Sequence, residues 1–125
     1  MADYPESQLD RRVIGCAIRV HRELGPGFIE SIYRNALIVD LRRDGIAFEV
    51  EKEIVVYYDG AEVGRHRLDL FVENILILEL KAIEQLATIH YMQLRSYLKA
   101  TNLPYGLLMN FGTTKLDVRR VERDR

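Results

Sequence analysis

Apolar residues recur at spacings of three and four through the start of the chain. Leu9, Val13, Ile14, Ala17, Ile18 and Leu24 share one face of residues 7–24, which predicts an amphipathic helix with Ser7 as its N-cap. Gly25-Pro26-Gly27 breaks it. A second helix is predicted from Phe28 to Arg43, burying Ile29, Ile32, Tyr33, Ala36, Leu37 and Leu41. It ends at Asp44-Gly45, where Gly45 suits a left-handed C-terminal cap. The pattern then changes period and turns to β-formers. Phe48–Tyr58 predicts a strand, Asp59-Gly60 a hairpin turn, and Val63–Val72 the returning strand. Glu73-Asn74 signals another turn. Ile75–Lys81 is a short, nearly continuous apolar strand of the kind found at the centre of a sheet. Helical spacing returns over 84–100, through Leu86, Ile89, His90, Gln93, Leu94, Tyr97 and Leu98. After Pro104, Tyr105–Phe111 predicts another apolar strand, and Lys115–Val121 alternates as an edge strand. The order α-α-β-β-β-α-β-β predicts an α/β (α+β) architecture, a mixed central β-sheet flanked by helices.

Composition narrows this by exclusion. A chain of 125 residues, 48 % hydrophobic, has the size of one domain and buries roughly two thirds of its unfolded surface without a structural metal. No repeat, low-complexity tract or linker divides it, so the expectation is a single domain over 1–125 with its core at about 8–121. Cys16 is the only cysteine, which excludes an intramolecular disulfide and a multi-cysteine zinc site. No apolar run approaches the ~20 residues of a membrane span. The acidic, polar start Met1–Glu6 is unlike a signal peptide. The expected compartment is therefore cytoplasmic, with no membrane partner.

Charge adds little. The 18 cations and 19 acids give −1, which is no polyanion-binding signature. Fourteen of those cations are Arg, the better planar partner for carboxylate or phosphate. Residues 113–125 carry five cations against three acids, read as a solvated tail, with a local phosphate-contacting arm as the alternative.

The unusual residues are the acids and the lysine inside apolar strands. Asp69 lies between Leu68 and Leu70, and Glu79 and Lys81 close the Ile75–Leu80 run. Residues two apart on a strand share a face, so Glu79 and Lys81 point one way while Leu78 and Leu80 point into the other layer. Asp69, on the preceding strand, can be a lateral neighbour of Glu79. Two adjacent carboxylates repel unless a cation lies between them, and magnesium takes one or two carboxylates plus waters and substrate phosphate. A lysine beside them can orient a water or stabilise charge on phosphate. Each residue alone also has an ordinary explanation, as an exposed hairpin residue or the end of a buried strand. Gln93 and Tyr97, four apart on one helical face, can both bond phosphate oxygens. Taken alone, Tyr97 reads as core, Gln93 as surface and His90 as a structural hydrogen bonder. Glu30 falls early in the second helix, where the dipole favours an acid, or where it is a third carboxylate aimed at the same site.

Gly27-x-x-Glu30-x-x-Tyr33 resembles the signature of the GxxExxY protein family. Val20–Phe28, Arg67–Leu70, Leu78–Ala82, Gln93–Thr101 and Gly106–Gly112 resemble its other blocks, so the likeness runs from about residue 10 to 121. That family is similar to the PD-(D/E)XK nuclease-like superfamily. The resemblance implies a restriction-endonuclease-like core, with Glu30 as the helical acid, Asp69 as the second-strand acid, and Glu79 and Lys81 as the E-x-K pair. Gln93 and Tyr97 match the Q-x-x-x-Y element of exonuclease branches. Leu68 stands where the motif's proline would be.

The resulting expectation is a metal-dependent nuclease, acting on DNA more readily than RNA. Asp69, Glu79 and the Leu80 carbonyl would hold Mg²⁺ or Mn²⁺, and Glu30 would join directly or through water. Lys81 would position the attacking water, and Gln93 and Tyr97 the phosphate. The alternative is a non-catalytic module that keeps the fold and binds nucleic acid or protein, with a homo-oligomer or protein partner pooling the cationic surface.

Overall fold

A computed structural model describes residues 7–124. Helices α1 (Gln8–Leu24) and α2 (Glu30–Arg43) precede strands β1 (Phe48–Tyr58), β2 (Ala61–Val72) and β3 (Leu76–Lys81). Helix α3 (Thr88–Thr101) then leads to β4 (Tyr105–Asn110) and β5 (Asp117–Glu122). The strands form one mixed sheet in the order β1-β2-β3-β4-β5, antiparallel except for the parallel pair β3–β4. α3 is the crossover that a parallel pair requires. The predicted element order and mixed sheet are observed. No helix among the described residues is long and apolar enough to cross a membrane.

The sheet separates two cores. On one face, Val13, Ala17, Val20, Tyr33, Leu37 and Leu41 from α1 and α2 pack on Leu70, Val72, Leu78, Leu80 and Met109. On the other, Leu94 and Leu98 from α3 pack on Ile54, Leu68, Ile77 and Leu108. Leu78 and Leu80 thus lie opposite Ile77, as alternation along β3 demands.

Several boundaries differ from the sequence pattern. α2 starts at Glu30 rather than Phe28, because Gly27 takes a φ of 119° and Ile29 is extended. Ile29 and Ile32 are consequently exposed, and so is Ile18 on α1. α3 starts at Thr88 rather than 84: the His90 Nδ1 accepts the Ala87 N–H at 2.9 Å and caps the helix there. Leu86 still packs on the α3-side core, but from the preceding loop. Ile75 lies in the turn, where Glu73 and Asn74 both adopt positive φ. β5 begins at Asp117 rather than Lys115.

The 113–125 segment is not a loose tail. Within it, Arg120 binds buried Asp10 at 3.2 Å and lies over the Tyr105 ring, Arg119 pairs with Asp117, and Arg123 bonds the Asn102 side chain. The acidic start at 1–6 and Arg125 lie outside the described residues.

Candidate active site

Asp69 sits where the β1–β2 hairpin parts from the sheet. β2 pairs with β3 only through Leu70–Val72. Beyond that point the Asp69 Oδ2 accepts the Leu80 N–H at 2.8 Å, taking up a backbone donor the departing strand no longer satisfies. The pleat also breaks here. Leu68 packs towards α3, whereas Leu70 and Val72 pack towards α1 and α2, although a regular strand would put all three on one face. Across the hairpin, Glu51 stands between the pairs Val50–Leu70 and Lys52–Leu68 with a φ of 54°. A left-handed backbone at a residue with a side chain costs about 1 kcal/mol, and such strain collects at functional sites.

Glu79 reaches the same fork from β3. It is 7 % exposed, and its Oε1 is buried with no hydrogen-bond partner. Burial, then the negative charge of Asp69, holds its carboxyl well above the usual carboxylate range and past neutrality; Lys81 opposes this without cancelling it. Lys81 is half-buried. Its carbonyl accepts the Phe111 N–H at 2.8 Å. The turn after it is clamped by Asn110, whose Oδ1 accepts the Ile83 and Gly112 N–H groups and whose Nδ2 donates to the Ile83 carbonyl. Gly112 is required for that approach, since a Cβ there would lie 2.3 Å from the Ile83 oxygen.

Glu30 arrives from the α1–α2 layer as the first residue of α2. The loop before it is tied down by Tyr33, whose hydroxyl donates to the Gly25 carbonyl at 2.5 Å and accepts the Phe28 N–H at 3.1 Å. The Tyr33 ring is fully buried and stacked on Phe111 at 4.8 Å. Glu30 is half-buried, and its pKa is raised by burial and then by Asp69, against Lys81 and Arg34. Glu30 and Glu79 thus each feel the charge of Asp69.

α3 closes the other side. Tyr97 is half-buried, and its hydroxyl is pushed up to about 12 by burial and by the Glu79 and Asp69 charges, so it remains a donor at neutral pH. Gln93, one turn earlier, is exposed, and among the described residues no hydrogen bond ties it to the acids. His90 has the structural role expected of it. His66 on β2 was not singled out by the sequence pattern. Its ring stacks on Tyr97 with centroids 3.9 Å apart, and it lies within the electrostatic reach of Asp69 and Lys81. A regular strand would put His66 and Asp69 on opposite faces, so only the break in the pleat brings them together.

Among the described residues no group of three or more His, Cys, Asp or Glu is gathered closely enough to cage a metal. The donors are instead two neighbouring carboxylates, one with an orphaned buried oxygen, and the Leu80 peptide between Glu79 and Lys81. That all-oxygen set fits magnesium or manganese, which keep waters in their shell. It does not fit a structural zinc centre of nitrogen and sulfur ligands.

Comparison with known proteins bears on the family and the fold. A family model described as the PD-(D/E)XK nuclease superfamily matches residues 7–121. No curated protein matches the chain. Among solved structures, the crystal structure of SSO0001 is similar with a TM-score of 0.60 and 22 % identity, over 77 % of this chain and 51 % of that one. An alkaline exonuclease from Laribacter hongkongensis is similar with a TM-score of 0.54 and 12 % identity, over 97 % of this chain and 73 % of that one. The chain thus spans about half the length of the first, and at these identities both show the shared fold.

Proposed function

Because the chain belongs to the PD-(D/E)XK nuclease superfamily, we propose that the fork between β2 and β3 is the active site of a metal-dependent nuclease that cleaves DNA in preference to RNA. The observation that carries this reading is the buried, unpartnered Glu79 oxygen beside Asp69, a crowding of carboxylates that a proton on Glu79 relieves in the metal-free protein and that a bound cation would relieve in its place. Asp69, Glu79 and the Leu80 carbonyl would hold Mg²⁺ or Mn²⁺, with Glu30 joining directly or through water. When bound, the ion supplies positive charge and acidifies a water at neutral pH.

The remaining work falls to the chain's own side chains. Lys81 orients the attacking water through its ammonium hydrogens and faces the charge that grows on phosphate. The water gives up one proton to solvent as its oxygen bonds to phosphorus, one phosphoester bond breaks, and the departing oxygen takes up a proton from solvent. Tyr97 keeps its hydroxyl proton and donates it in a hydrogen bond to phosphate. Gln93, on the same face of α3 but exposed, contacts a neighbouring phosphate. The test is cleavage of labelled DNA and RNA with and without Mn²⁺ by wild type, Asp69→Asn and Lys81→Ala. Metal-dependent cleavage by wild type alone is expected; equal activity in all three proteins refutes the assignment.

The net charge of −1 favours a second reading, a binding module that keeps the fold without catalysis. Absence of Mn²⁺ binding at millimolar metal in a calorimetric titration would select it.

A further inference from the structure

Four buried side-chain polar atoms among the described residues have no hydrogen-bond partner, and three surround the fork: Arg34 Nε, His66 Nε2 and Glu79 Oε1. Native interiors leave few such atoms, and each calls for an explanation. Glu79 is accounted for by a cation. Arg34 is not, since an arginine Nε only donates and cannot bind a metal, whereas the His66 imidazole can serve as donor or as metal ligand, two roles that Mn²⁺ affinity separates. Arg34 lies one turn after Glu30 and acts on its charge. His66 is stacked on Tyr97 and acts with Asp69 and Lys81. The two residues come from opposite layers of the fold and flank the same group of acids.

We propose that Arg34 and His66 are phosphate-binding residues of this site, Arg34 from the solvent-facing edge of its guanidinium and His66 from its ring N–H, each donating a hydrogen bond to a non-bridging oxygen of a nucleic-acid phosphate. The proposal rests on the nuclease reading above. A phosphodiester approaching Glu30, Asp69 and Glu79 meets repulsion, and a chain of net charge −1 supplies no long-range attraction to offset it. Donors beside the acids are therefore needed. Arg34 is 24 % exposed, so its guanidinium is reachable from solvent although Nε is buried. Its Nη1 lies 3.3 Å from Glu51 Oε1, and Arg67 approaches the same carboxylate at 3.8 Å. Two arginines converging on one half-exposed carboxylate mark a place where a phosphate can take the carboxylate's position.

The test is steady-state cleavage of a labelled DNA duplex in Mn²⁺ by wild type, Arg34→Gln and His66→Ala, with Mn²⁺ affinity by calorimetry and melting temperature for each. Arg34→Lys and His66→Gln serve where a first variant does not fold. The expected result is a KM raised at least about tenfold, the loss of one charge-assisted or buried hydrogen bond, with Mn²⁺ affinity within about twofold of wild type. Wild-type KM in folded variants overturns the inference and leaves the nuclease reading intact. Mn²⁺ affinity that falls with KM also overturns it, since both residues would then act by arranging the metal ligands. A wild-type protein that binds Mn²⁺ but cleaves no nucleic acid removes the nuclease reading and this inference with it.

Discussion

The Asp69 carboxylate accepts the backbone N–H of Leu80 at 2.8 Å. One side chain thus ends the β2–β3 ladder, holds the peptide that follows Glu79, and supplies a negative charge to the site. These roles separate on substitution. Asp69→Asn keeps an acceptor for Leu80, so its melting temperature should stay close to that of wild type while cleavage falls at least about 100-fold. Asp69→Ala should lose the same activity and a further 1–2 kcal/mol or so of stability, the cost of a hydrogen bond left unmade. Denaturant unfolding beside a cleavage assay checks both.

Glu79 predicts a pH dependence of the metal-free protein. The unfolded chain ionises this carboxyl near its ordinary value of 4.5, whereas burial and Asp69 hold the folded one protonated to much higher pH. Between those limits the native state binds more protons, so stability falls as pH rises. Glu79→Gln removes the titrating group. The difference in stability between wild type and this variant should therefore move against wild type from about pH 5 to pH 8. Thermal melts in a chelator across that range measure it, and a constant difference would show that Glu79 is not shifted upward.

Tyr33 fixes the entry to α2. Tyr33→Phe keeps the stack on Phe111 but abandons the Gly25 carbonyl and the Phe28 N–H. A loss of about 1 kcal/mol is expected. Because Glu30 follows this loop directly, cleavage should fall by more than the stability loss explains. Equilibrium unfolding and kcat on the same preparation check the pairing.

Gly112→Ala tests the clamp behind Lys81. The new Cβ would lie 2.3 Å from the Ile83 oxygen and 2.4 Å from its nitrogen, both backbone atoms that cannot turn aside. A destabilisation on the order of 3 kcal/mol is expected, the upper range for forced overpacking. A melting temperature equal to wild type would mean that the turn is held loosely.

The residues show why some of this was legible in sequence and some was not. Glu79 and Lys81 on β3 were legible because alternation along a six-residue strand fixes which side chains share a face, and both obey it. Glu30 was legible through its place among helical apolar neighbours, although the helix begins two residues later than periodicity suggests. Periodicity carries no record of the left-handed backbone at Gly27 or of the His90 cap at Ala87. His66 and Arg34 were hidden for a stronger reason. Their proximity to the acids depends on the broken pleat at Asp69 and on the packing of α2 against the sheet, which are tertiary facts. The exposure of Gln93 is likewise set by how α3 rolls on the sheet.

The most direct test of the central claim is calorimetric titration of Mn²⁺ into the metal-free protein at neutral pH in buffers of different ionisation enthalpy. If crowding with Asp69 and burial keep Glu79 protonated until a cation arrives, wild type should bind Mn²⁺ and release about one proton as it does so. Glu79→Gln should bind more weakly and release none. Absence of binding at millimolar Mn²⁺, or equal affinity in both proteins with no proton released, would contradict the account.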